Sequence, residues 1–187
     1  MNRNEEVIFI DGPVGAIETL VENPGAPRGI ALVCHPHPLF GGANTNKVTH
    51  ALARTFTRMD YVSLRPNFRG VGGSAGKHDE GRGETEDMLA VLAEARRRFG
   101  DLPVALAGFS FGAYVQTRVA QALAEAGHPA QRLVLVGTAA GHVEGARKYE
   151  TGAVASDAIV IHGAHDETVP LANVLSWAEP LDLPVIV

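Results

Sequence analysis

The run Gly108-Phe109-Ser110-Phe111-Gly112 constrains this chain more than any other feature, because it reads G-x-S-x-G in a defined setting. An apolar run of strand length, Pro103–Ala107, precedes it. A segment with Phe111, Val115, Val119, Leu123 and Ala126 at helical spacing follows it. A turn this tight between strand and helix leaves little room for side chains, so glycine suits positions 108 and 112. It also lifts the serine hydroxyl to the end of a sheet, beside a helix N-terminus. In a chain with 21 glycines the motif alone can arise by chance; its position between strand and helix is what gives it weight.

The rest of the chain alternates in the same way. Val7–Ile10 and Ala16–Val21 flank the turn signal Asp11-Gly12-Pro13, which predicts an N-terminal antiparallel hairpin. Gly29–Cys34, Tyr61–Arg65, Pro103–Ala107, Leu133–Val136, Ala158–His162 and Leu183–Val187 read as strands. Asn44–Met59, Glu84–Phe99, Phe111–Ala126 and Leu171–Glu179 read as helices. In Glu84–Phe99 the acidic residues lie in the first turn and Arg96-Arg97-Arg98 in the last, as the helix dipole favours. Alternating strands and helices imply an α/β fold: a mostly parallel sheet with helices on both faces. Residues 1–187 read as a single domain. The Gly- and Ala-rich connection Gly137–Asp157 is the one long link between strands and has room for a short helix.

Composition narrows the function classes. Net charge is −5 and no basic stripe is present, which argues against nucleic-acid binding. The single cysteine, Cys34, cannot form an internal disulfide, so a reducing, cytoplasmic setting is expected. No apolar run approaches the ~18 residues of a membrane span, and no phosphate-binding loop of the G-x-x-x-x-G-K-[ST] kind occurs. No metal or organic cofactor is expected.

In such a sheet ligands bind beyond the carboxyl ends of the strands. Four clusters follow those ends: His35–Gly42, Asn67–Ser74, Ser110, and His162-Gly163-Ala164-His165-Asp166. Ser110 is the candidate nucleophile. Asp166 either orients a histidine base or caps the helix that begins near Leu171. The backbone N–H groups of Phe111 and His37 are the candidate donors to a developing oxyanion, since Pro36 and Pro38 have none. Leu39, Phe40, Phe111 and Val169 are expected to line a shallow substrate pocket. His35 and His37, two residues apart with no third ligand nearby, make a weak metal signal. Arg69 either braces loops or binds substrate.

The runs HPHPLFGG, RPNFRGVGGSAG, GFSFGA and IHGAHDETVP, in this order, resemble an α/β-hydrolase. They are most similar to the small, cap-poor bacterial group related to dienelactone hydrolases. The resemblance spans nearly the whole chain. It implies a Ser-His-Asp acyl-enzyme mechanism on carboxylic esters or related acyl bonds, with a small-molecule acyl substrate. It puts the nucleophile on Ser110, the acid on Asp166 and the oxyanion donors on His37 and Phe111. It also implies a histidine after the last strand, roughly 5–10 residues past Val187. None of the eight histidines present lies there, and His37 is the only local substitute. The expectation is therefore a chain truncated at its C-terminus, with an uncovered last strand open to pairing in a homodimer. The alternative is a non-catalytic binding or scaffold protein with an incomplete triad.

Overall fold

The computed structural model describes residues 5–187 except Ala146. Its centre is three strands with almost no exposed residue, β3 (Gly29–Cys34), β4 (Tyr61–Pro66) and β5 (Val104–Phe109). Continuous apolar runs of this kind fit strands covered on both faces. Alternate residues serve opposite sides: Ile30, Leu32, Val104 and Leu106 enter the larger core, whereas Ala31, Val33, Ala105 and Ala107 face the smaller one. The small residues on the second side let helix α1 (Lys47–Arg58) lie close, with Ala53 and Phe56 against them.

The remaining elements extend this centre. β1 (Glu5–Gly12) and β2 (Gly15–Glu22) form the expected antiparallel hairpin, and β2 pairs antiparallel with β4. β6 (Arg132–Val136), β9 (Ile159–Ile161) and β10 (Val185–Ile186) continue the parallel part. The order of the eight strands is β1-β2-β4-β3-β5-β6-β9-β10. Helices α2 (Arg82–Phe99), α3 (Phe111–Glu125) and α4 (Leu171–Ala178) put Met88, Leu92, Val115, Val119 and Val174 into the larger core.

Two expectations need correction. Among its described residues the connection after β6 holds no helix. It forms a second, two-stranded sheet, β7 (Gly141–Val143) against β8 (Arg147–Tyr149), with Gly141 opposite Tyr149 and Val143 opposite Arg147. Gly145, at φ +77°, makes the reversal. The hairpin is tied down by Asn173 Nδ2 donating to the His142 carbonyl at 2.5 Å, and Val143 and Tyr149 join the larger core. The last strand is also shorter than Leu183–Val187, because Leu183 turns into the core and only Val185 and Ile186 pair with Val160 and Ile161.

Of the two buried arginines among the described residues, Arg65 and Arg69, Arg65 is the more deeply buried. Arg65 on β4 is 2% exposed and would be costly without partners. It meets Glu5, Glu22 Oε1 at 3.0 Å and the Asn44 carbonyl at 3.0 Å. The carboxylates of Glu5 and Glu22 also approach His50. Arg65 already supplies the positive charge there.

Candidate active site

The parallel strands end on one edge, and four loops gather there. β5 ends at Phe109, α3 begins at Phe111, and Ser110 alone makes the turn at φ +55°, ψ −117°. A residue with a Cβ rarely adopts this conformation and holds it only where its surroundings enforce it. The enforcing contacts are visible. The Ser110 N–H donates to the Val136 carbonyl at 2.8 Å, and the Ser110 carbonyl accepts from Ala113 and Tyr114 at 3.0 and 3.2 Å. A Cβ on Gly108 would lie 2.4 Å from the Gly112 backbone, and one on Gly112 would lie 2.4 Å from the His35 carbonyl oxygen. Strand, turn and helix therefore approach as closely as only two glycines permit. The first N–H groups of α3, Phe111 included, have no intrahelical partners and carry the positive end of the dipole.

The His35–Gly42 loop lies alongside. The His35 ring is buried and held at both nitrogens: Nε2 accepts from the Phe68 N–H at 2.9 Å, which assigns the proton to Nδ1, and Nδ1 donates to the Pro36 carbonyl at 2.7 Å. Burial pushes its pKa down to about 4, so it is a neutral brace between the loops after β3 and β4. His37 precedes a 3-10 turn, Pro38–Phe40, and its Nδ1 accepts from the Leu39 N–H at 3.2 Å. Burial first, then the electrostatic influence of His78 and Arg147, pushes His37 down to about 4 as well. Its ring lies 4.9 Å from Phe111 and 4.7 Å from His78. Neither histidine of the pair is arranged as a metal ligand with the other.

Asp166 follows β9. Its Oδ1 accepts the N–H groups of Thr168 and Val169, both at 2.9 Å, which pins the carboxylate and caps its own loop rather than α4. Its Oδ2 lies 3.9 Å from His162 Nε2, but that nitrogen bonds the Val169 carbonyl at 2.9 Å. His162 thus tightens the loop that carries Asp166. Among the described residues no histidine is hydrogen-bonded to the Ser110 hydroxyl.

Ser110 and Asp166 line one cavity of about 420 Å³, together with His37, Phe40, Val169 and the hairpin residues Glu144 and Arg147. Leu39, 70% exposed, does not reach it. Leu39 lines an adjoining groove of about 650 Å³ with His78, Phe111, Tyr114 and Tyr149. Arg69 resolves as a brace: its Nε and one terminal nitrogen grip both oxygens of buried Asp87 at 2.8 Å, tying the loop after β4 to α2. Glu84, fully buried, does similar work on His78 Nδ1 at 2.8 Å and on the N–H groups of Asp79 and Gly81, both at 2.9 Å.

A family profile named "Thioesterase domain" matches residues 49–181 of this chain. The chain belongs to the thioesterase-domain family of the α/β-hydrolase superfamily. Two solved structures carry the same fold over almost all of it. An α/β serine hydrolase without lid from Xanthomonas campestris is 33% identical, with a TM-score of 0.83 over 100% of this chain and 83% of its own. An α/β serine hydrolase homologue from Coxiella burnetii is 35% identical, with a TM-score of 0.83 over 96% of this chain and 84% of its own. An uncharacterized protein of Rickettsia prowazekii is 41% identical over 125 residues; the match covers 65% of this chain, which spans about half (52%) of that relative's length.

Of the cavity-lining residues that sequence reasoning did not single out, Glu144, Gly145 and Arg147 sit on the β7–β8 hairpin. The only sequence signal for them was the length of the connection after β6. No helix among the described residues is long and apolar enough to cross a membrane.

Proposed function

We propose that the protein is a serine hydrolase that cleaves carboxylic esters or related acyl bonds, thioesters included, through an acyl-enzyme on Ser110. The observation that carries this reading is Ser110 at φ +55°, wedged between Gly108 and Gly112 and opening on the same cavity as Asp166. A backbone strain of this kind, about 1–3 kcal/mol, persists where the fold over-determines it, and such sites cluster at functional centres.

A serine hydroxyl is a weak nucleophile until a base takes its proton. In the proposed cycle a histidine accepts that proton as Ser110 Oγ attacks the carbonyl carbon. The carbonyl oxygen becomes an oxyanion held by the backbone N–H groups of Phe111 and His37. The same histidine then protonates the leaving group, water attacks the acyl-enzyme, and the acid departs with Ser110 restored. Asp166, with Oδ1 already anchored by two backbone N–H groups, offers Oδ2 to orient the histidine and stabilise its charged form. We assign the base to a histidine beyond Val187, in the Ser–acid–His order of this superfamily. His35, His37, His78 and His162 are each engaged elsewhere. Phe40 and Val169 border the acyl cavity and Leu39 the groove beside it. A volume of about 420 Å³ suits short acyl groups, and the similarity to a hydrolase without lid supports an open site.

The test is turnover of p-nitrophenyl acetate and of a short acyl thioester by the complete gene product. Ser110→Ala should remove it, and Asp166→Asn should lower kcat by about 10⁴-fold through the wrong imidazole tautomer. Turnover that survives Ser110→Ala contradicts the assignment. A folded wild-type protein with no turnover on either substrate favours a non-catalytic binding protein of the same fold.

A further inference from the structure

Arg147 stands where the two cavities meet. It lines the one that holds Ser110 and Asp166, and also the groove floored by Phe111, Tyr114 and Tyr149. Its guanidinium lies 4.3 Å over the Phe40 ring. Nε and one terminal nitrogen donate to the Glu144 carbonyl at 3.0 and 2.9 Å. A flexible cation is thus held in one pose from the side and from behind; the Tyr149 side chain also reaches it, and its five-donor planar fork still has N–H groups to spare.

No counter-ion accompanies it. Among the described residues no carboxylate lies within ion-pair distance of Arg147, whereas its neighbour Lys148 is paired with Glu150 at 3.1 Å. Glu144 and Glu80 border the same cavities, but Glu144 offers Arg147 its backbone carbonyl, and no hydrogen bond or ion pair joins Glu80 to it. Asp166 is turned to its own loop through Oδ1. A half-buried cation pays for lost hydration unless an anion meets it. The charge is felt inside the site, since it contributes to the lowered pKa of His37. A guanidinium presented as a fork and stacked on an aromatic ring suits bidentate contact with a carboxylate or phosphate better than an ammonium would.

We propose that Arg147 is a specificity-determining residue that binds the anionic group, carboxylate or phosphate, of an acyl ester whose carbonyl lies at Ser110. This rests on the reading of Ser110 as the nucleophile. Because Arg147 borders both spaces, the anion belongs either to the acyl chain or to the alcohol side. Two substrate pairs separate these: mono-p-nitrophenyl glutarate against p-nitrophenyl butyrate, and butyryl glycerol 3-phosphate against monobutyrin.

In the complete gene product the ratio of kcat/KM, anionic over neutral, should favour the anion in one pair, and Arg147→Met should lower that ratio by about tenfold or more. Arg147→Lys should keep part of it, since charge remains while the fork is lost. Ser110-dependent turnover with the same ratio in wild type and Arg147→Met, in both pairs, overturns the inference and leaves the nucleophile in place. If no pair shows Ser110-dependent turnover, it is the nucleophile reading that fails. Calorimetric titration of glutarate and of glycerol 3-phosphate into the Ser110→Ala protein then decides. Binding of either one that weakens about tenfold in the Ser110→Ala, Arg147→Met double variant sustains the site. No binding, or equal binding, overturns it.

Discussion

At the scale of single residues, two missing side chains shape the site more than any that are present. Gly108 lets β5 approach α3, and Gly112 lets α3 approach the end of β3, until a Cβ on either would stand 2.4 Å from backbone atoms. Backbone cannot swing aside as a flexible side chain does. Gly112→Ala should therefore cost about 3 kcal/mol or more, toward the upper end for overpacking, read as a fall in the urea midpoint at constant slope. An Ala at Gly25, where nothing lies within 4 Å but φ is +104°, should lose only the backbone-strain contribution. Equal midpoint shifts for the two would mean that close approach is not what constrains the turn. Ser110 itself was legible in the sequence because its strain has a local signature, glycine on either side of a strand–helix junction. Arg147 was not, because nothing adjacent in sequence marks it; its importance comes from Phe40, a distant residue brought beneath it.

At the scale of elements, the order of strands and helices follows from apolar periodicity, and the structure departs from it where periodicity is silent. The β7–β8 hairpin is only three residues on each side, too short for an alternating pattern to register. It is secured by tertiary contacts from Asn173 on α4 and by burial of Tyr149. Its effect is to bring Glu144 and Arg147 to the cavity that Ser110 lines. The loop after β4 is secured differently, through the buried pair Arg69–Asp87. Removing one partner leaves the other buried and charged, so Arg69→Ala should destabilise by about 3–5 kcal/mol. The double change Arg69→Met with Asp87→Leu should recover a large part of that. Chemical denaturation of the three variants measures it; additive losses would contradict a coupled pair.

At the scale of the whole molecule, the loops that build the site make stability depend on pH. His35 and His37 are both lowered from 6.5 to about 4, first by burial. The unfolded chain binds protons at these histidines that the folded chain refuses, so stability is fully present above pH 6.5. It falls as pH drops toward 4, by at most about 1.4 kcal/mol per pH unit for each histidine. Glu94, lowered to about 2 by its hydrogen bonds to Arg97 and Arg98, acts below pH 4.5 and leaves the higher window to the histidines. Unfolding free energy measured from pH 7 to 4.5 should show this slope, and a flat profile would contradict neutral histidines beneath these loops. The architecture that creates this dependence also brings Ser110, Asp166 and the His37 loop to one edge. The central claim, that Ser110 is a nucleophile, is tested most directly by fluorophosphonate labelling of the complete gene product with the adduct mapped by peptide mass spectrometry. The account predicts a single adduct on Ser110, absent from Ser110→Ala. A folded protein that takes no label, or one whose label persists in Ser110→Ala, would contradict it.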